Sequence, residues 1–304
     1  MAAMRWISAL ILLSALLSDS TAGRAKAQSL LAWNATLGVI ALSAQTQVHL
    51  YDARTQALLA VLGNGSAALT ALAWQPEGAL LATGDADGRL CLWSAVHFTQ
   101  ECSKADSAAI RAVAWHANGT ALASAADDRV RVWQVEPLSV SFAWSAEGVV
   151  TALAWRADDL AVGGAVRGAY EQGFLAIHHA SGALKQRYAA ELRPPSALQR
   201  VADQIGVVTL FEVFTWQPTA QRYSPLYLPL SESEAVRRAV WHMDGSQVLV
   251  LLARRLLCFT DSVSYGEIVL TAPIAALDWN AQAQTAALVT EDGSLRFVST
   301  ARCR

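Results

Sequence analysis

The chain has 304 residues, 54% of them apolar, with 11 Trp and a formal net charge of −2. That length allows one or two domains, and the balanced charge lacks the basic stripe expected of a nucleic-acid binder. The Arg237-Arg238 and Arg254-Arg255 pairs read as solvated strand ends. There is no P-loop, no Rossmann glycine fingerprint and no zinc-type Cys/His spacing, so no cofactor is expected.

Met1–Gln28 opens with Arg5 and the apolar run WISALILLSALL, of secretory-signal length. Ser20-Thr21-Ala22 or Ala25-Lys26-Ala27 would serve as a small-x-small cleavage site, and the run is too short to span a bilayer comfortably. From Ser29 the pattern changes to short apolar strands ending on an aromatic residue. The clearest unit is IRAVAWHANGTALASAADDRVRVWQ, Ile110–Gln134. It reads as three strands separated by turns at Asn118-Gly119 and Asp127-Asp128-Arg129. Three short antiparallel strands cannot bury both faces alone, so copies are required.

The copies start at Ser29, Leu69, Val150, Val236 and Ile274. The Trp closing the first strand falls at Trp33, Trp74, Trp115, Trp155, Trp241 and Trp279, with gaps of 41, 41, 40, 86 and 38 residues. The gap of 86 is two periods, so one copy between Ser196 and Ser231 has lost its Trp but keeps GVVTLFEVFTW. A second aromatic recurs at Tyr51, Trp93, Trp133 and Phe259. Units of about 40–45 residues with four strands each are propeller blades.

On these residues the chain resembles the WD-repeat β-propeller family over roughly residues 29–300, with seven units. The expected fold is all-β: seven four-stranded antiparallel blades over residues 29–304, preceded by the apolar segment 1–28. The resemblance places Tyr51-Asp52 at the family's Trp-Asp pair. It also implies a network in which Asp87 or Asp127 meets a hydroxyl of Thr83 or Ser124 and the indole of Trp93 or Trp133. Asp292 holds the same position in the last unit, where Val298 replaces the aromatic. The family's Gly-His pair is missing from every unit, which marks a divergent member.

The last unit ends near Ser299, and in this family an N-terminal strand usually completes the last blade. The corresponding register falls on residues 16–21. On that argument the apolar segment is retained as a closing strand and the protein is intracellular. Export after signal cleavage is the alternative.

Between the second and third strands of the fourth unit lies AVRGAYEQG, longer than the same turn elsewhere. Arg167, Tyr170 and Glu171 project from it and are the candidate partner-binding residues, Tyr and Arg being enriched among hot spots. Cys91 and Cys258 read as buried thiols, though Cys91 and Cys102 could bridge across a hairpin in an exported protein. His178-His179 point to opposite faces of a strand and do not form a metal site. Asp85–Gly88 starts like a calcium loop but has Val96 where the twelfth-position Glu would stand. The sequons at Asn34, Asn64 and Asn118 count for glycosylation only in a secreted chain. No catalytic constellation emerges. The sequence predicts a non-catalytic scaffold binding other proteins within a larger complex, with no nucleic-acid partner and no membrane span. The alternative is an exported propeller with a small-ligand or enzymatic site in its channel.

Overall fold

A computed structural model describes residues 29–63, 65, 67–260, 263 and 265–301. Residues 1–28, on which both the signal and the closing-strand readings fall, lie outside the described residues, as do Asn64 and Cys303.

Apolar residues alternating along short strands, broken by Gly and Asx turns, produce sheets whose two faces both need cover. Blade 1 pairs Leu31–Asn34, Val39–Ala44, Gln47–Asp52 and Leu58–Leu62 in that order, every pair antiparallel. Blade 2 repeats this with Leu69–Trp74, Leu80–Asp85, Arg89–Ser94 and Gln100–Lys104. Blade 3 uses Ile110–Trp115, Ala121–Ala126, Arg129–Val135 and Leu138–Ser145, and blade 4 Gly148–Arg156, Asp159–Val166, Ala169–His179 and Leu184–Arg187. Blade 5, the unit without its Trp, is complete: Ala197–Val201, Gln204–Val208, Val213–Gln217 and Arg222–Pro225. Blade 6 has Arg238–Trp241, Val248–Leu251, Arg255–Phe259 and Tyr265–Val269. Blade 7 shows three strands among the described residues, Ile274–Asn280, Thr285–Thr290 and Leu295–Ser299.

Each first strand touches the first strands of the blades before and after it, and the first strand of blade 7 touches that of blade 1. The seven first strands therefore line the centre of a closed ring. Second and third strands carry the buried residues, and the fourth strands face solvent. Apolar clusters form mainly between neighbouring blades, with Trp133, Trp216 and Phe259 among the largest fully buried side chains.

A hydrogen-bonded clasp joins the inner strands. The indole Nε1–H of Trp74 donates to the Ala32 carbonyl of the preceding blade at 3.0 Å. Trp115 does the same to Ala73, and Trp155 to Ala114, each at 3.0 Å. A second tier runs beside it: Asn34 Nδ2 donates to the Gly78 carbonyl and Gln75 Nε2 to the Gly119 carbonyl, both at 2.8 Å. Blade 5 lacks the indole, and Gln199 takes over by reaching forward. Its amide donates to the Trp241 carbonyl (2.9 Å) and accepts from the Trp241 N–H (3.0 Å). Gly206 leaves room for that indole, since an added Cβ would lie 2.9 Å from the Trp241 ring.

Blade 7 meets blade 1 through the Asp278 carboxylate. Its Oδ2 accepts the Trp33 N–H at 2.7 Å and its Oδ1 the Trp279 N–H at 2.8 Å. Asp278 is part-buried but densely enclosed. Burial, the largest influence, raises its carboxyl above the ordinary value, with the two amides pulling the other way.

Four expectations are corrected. Cys91 is not a thiol: it is bonded to Cys102, directly opposite it on the outer hairpin of blade 2, with a Cα–Cα distance of 4.1 Å. Cys258 is disulfide-bonded as well, and no described cysteine is free. Arg255 is not a solvated strand end. Its guanidinium bonds Glu234 (2.8 Å), Glu267 (2.9 Å) and the Pro229 carbonyl (3.2 Å). Arg237 is likewise engaged, with the Ile274 carbonyl (3.1 Å) and Glu291 (2.9 Å) of blade 7.

Asp278→Ala strands two backbone N–H groups, so it should cost about 2–6 kcal/mol in urea unfolding, at about 1–3 kcal/mol per orphaned group. Asp278→Asn keeps one acceptor oxygen and should fall between the two. The double change Cys91→Ala and Cys102→Ala opens a loop with a sequence separation of 11. It should lower stability by about 2–3 kcal/mol in the same assay.

Candidate partner-binding face

Turns from second to third strand and the links from each outer strand to the next blade share one face of the ring, because adjacent strands alternate in direction. The fourth-blade segment 165–173 belongs to this face. It is not the loop expected from its length. The second strand continues to Val166 and the third begins at Ala169, so only Arg167 and Gly168 (φ +83) form the turn. The register runs Ala165 with Gly173 and Val166 with Ala169, leaving residues 170–172 as a bulge that holds Tyr170 and Glu171.

Arg167 bonds Asp127 Oδ2 at 3.0 Å and approaches Asp128 at 3.5 Å, which ties the hairpin tip to the turn of blade 3. At the base, the Gly173 N–H donates to the Leu192 carbonyl at 2.6 Å. The Arg193 carbonyl would lie 2.4 Å from any Cβ at position 173, so this approach requires glycine. The hairpin is thereby held against segment 192–194.

Leu192, with Ala190 and Glu191, also forms one wall of a groove of about 330 Å3 at the outer rim of blade 5. Its aromatic lining is Tyr188, Phe211, Phe214, Tyr223 and Tyr227. Tyr188 is the hub, with ring centroids 5.7 Å from Phe214, 5.5 Å from Trp216 and 6.4 Å from Tyr223. The Arg193 guanidinium lies over the Phe211 ring at 5.4 Å. Glu191 and Glu212 add two carboxylates to the lining. Burial, with the Tyr223 and Glu212 charges, raises the Tyr188 phenol above its ordinary value, so the ring is uncharged near neutral pH.

The repeat positions are structural. Trp93 Nε1 donates to Thr83 Oγ1 at 2.9 Å and Trp133 Nε1 to Ser124 Oγ at 2.8 Å, both pairs buried. The aspartates do not all join them. The carboxylate that orders the blade 2 turn belongs to Asp85, which accepts the N–H groups of Asp87 and Arg89, both at 2.9 Å. Asp87 contributes its main-chain carbonyl to Lys104. Asp127 stands at φ +51 and is engaged with Arg167. Asp292 does take the hydroxyl of Thr290, and this bond with the Ser294 N–H holds its carboxyl down at about 2. Among the described residues no group of His, Cys, Asp and Glu could hold a metal, and no helix is long and apolar enough to cross a membrane.

These features define a closed seven-bladed propeller with one turn-rich face. Residues 56–94 and 98–134 match the family model described as WD domain, G-beta repeat. Each match starts in the outer strand of one blade, or just before it, and ends in the third strand of the next. The two matched stretches are WD repeats, and they lie within a seven-bladed β-propeller. Among solved structures it is similar to a chain of the "Crystal Structure of Mitotic Checkpoint Complex", with a TM-score of 0.75 and 14% identity, covering 90% of this chain and 86% of that one. At that identity the likeness shows the fold. No curated protein matches by sequence.

Asp106, on the same face, is pushed up by burial, but the Arg131 guanidinium at 2.6 Å and the Ser107 N–H outweigh this and hold it below its ordinary value. A lowered folded-state value means this contribution is complete above the unfolded carboxyl's value near 4 and is lost as pH falls through the folded one. The melting temperature should therefore fall on acidification from about pH 5, and Asp106→Asn should flatten that limb. Separately, Ser124→Ala leaves the Trp133 N–H without an acceptor and should cost about 1–3 kcal/mol in urea unfolding.

Proposed function

We propose that this propeller is a non-catalytic platform that binds other proteins through the face carrying the blade 4 hairpin. The observation behind the reading is the bracing of that hairpin. Arg167 fixes its tip to Asp127 and Asp128, and Gly173 fixes its base, so Tyr170 and Glu171 are carried on a preorganised bulge. Preorganised loops on a rigid scaffold bind with little ordering cost. The family uses its ring in this way, and the similar chain comes from a structure of a multiprotein complex. Of the polar side chains on the inner strands, Thr70 bonds the Ile110 carbonyl at 2.6 Å and Gln199 bonds Trp241, both engaged between blades.

A second reading concerns compartment. The Cys91–Cys102 bond and the bonded state of Cys258 favour an oxidising environment, and hence an exported platform, over the intracellular one. The intact mass of the protein from its native cell, with and without reduction before alkylation, decides this. Alkylation of Cys91 and Cys102 without reduction would restore the intracellular reading.

A photocrosslinking residue placed at position 170 in the native cell should yield adducts with a partner protein. The same residue at Asn118, on the opposite face, should not. Arg167→Ala should reduce the adducts several-fold while leaving the melting temperature within a few degrees. A chain that gives no adduct from either face and runs as a monomer would refute the platform.

A further inference from the structure

We infer that the groove at the outer rim of blade 5 receives a cationic side chain from an extended basic segment of a partner protein. This rests on the platform reading and assigns it a second contact and a chemistry.

Three observations carry it. First, the lining is aromatic and open to solvent. Tyr223 and Tyr227 are 57% and 66% exposed, and Tyr188 stands behind Tyr223 in edge contact. Ring faces of this kind attract ammonium and guanidinium groups. The molecule already shows that contact in the same groove, where Arg193 covers Phe211.

Second, the charge is unbalanced in the direction a cation needs. Glu191 and Glu212 both line the groove and are exposed. Among the described residues neither takes part in an ion pair. The nearby Arg187 is engaged with Glu147 at 2.6 Å, and Arg193 with the Phe211 ring.

Third, the walls are held before anything binds. On one side the Tyr188 N–H donates to the Leu175 carbonyl (2.9 Å) and Leu192 is fixed by Gly173. On the other, the Leu226 N–H donates to the Val213 carbonyl (2.9 Å) and Arg255 holds the Pro229 carbonyl (3.2 Å) and Glu234. Pro225 and Pro229 remove two N–H donors from this rim, so an added strand cannot pair along it and recognition falls to side chains. An extended segment with alternating basic and apolar residues meets both the carboxylates and the rings.

The test uses the full chain and three fluorescein-labelled hexapeptides in fluorescence anisotropy. One alternates Arg and Leu, one has citrulline in place of Arg, and one has Glu. The Arg peptide should bind, and citrulline should weaken it about 10-fold, the loss expected for a cation at a ring and carboxylate site. Tyr227→Ala and the double variant E191Q/E212Q should each weaken the Arg peptide several-fold without changing the melting temperature. Absence of binding, equal binding of the citrulline peptide, or indifference to both variants would overturn the inference. So would self-association of the chain that Tyr227→Ala abolishes, which would give the groove to a second copy. If position 170 crosslinks to a partner while the peptides fail, the groove assignment falls and the platform stands.

Discussion

The ring depends on hydrogen bonds that cross from one inner strand to the next. A propeller blade buries apolar surface on both faces, and apolar contact alone fixes neither spacing nor register between blades. The indole donors of Trp74, Trp115 and Trp155 supply that register, because each must find one particular carbonyl on its neighbour. An indole N–H buried without an acceptor is costly, so a slipped blade is penalised twice, in packing and in polar satisfaction. Trp33 shows the limit of the scheme. Its Nε1 is buried without a partner, and the joint relies on its main-chain N–H and the Asp278 carboxylate instead.

The architecture was legible because tryptophan is rare and its period is an arithmetic fact of the sequence. Blade count, strand order and even the drifted fifth blade follow from it. What escaped was whatever depends on a partner remote in sequence. Gln199 looks like any strand glutamine until Trp241 is placed opposite it. Asp278 is a polar residue in an otherwise apolar strand, and its 245-residue separation from Trp33 gives no local signal. The Arg237 and Arg255 pairings failed to show for the same reason. The Cys91–Cys102 bridge was geometrically available from the hairpin alone, but a strand cysteine reads equally well as a small apolar residue.

The candidate face was half legible. Arg167, Tyr170 and Glu171 stood out through an unusually long second-to-third connection. That extra length became strand and bulge, because Val166 and Ala169 pair directly and Gly168 adopts the turn. The aromatic groove beside it was hidden. Its walls come from two links and one turn, spread between residues 188 and 230, that read as breaks in the pattern. Proline-rich links disguise a built surface as irregular chain. The hairpin and the groove meet at Leu192, so the face is one continuous surface across blades 4 and 5.

The direction of the inner clasps bears on how the ring assembles as the chain emerges, N-terminus first. The indoles of blades 2 to 4 each point back to a carbonyl already made, so every new Trp finds its docking point waiting, while the Asn34 and Gln75 amides complete their seams from the blade behind. At blade 5 the polarity reverses. Gln199 has nothing to grip until Trp241 has been synthesised, and the Trp33 amide waits for Asp278, almost at the end. The first four blades can accrete as a growing arc, whereas the seam between blades 5 and 6 sets only once Trp241 has been made and the closing seam only once Asp278 has. Blade 5, which has lost the indole of its predecessors, is the point where docking onto finished chain gives way to waiting for chain still to come.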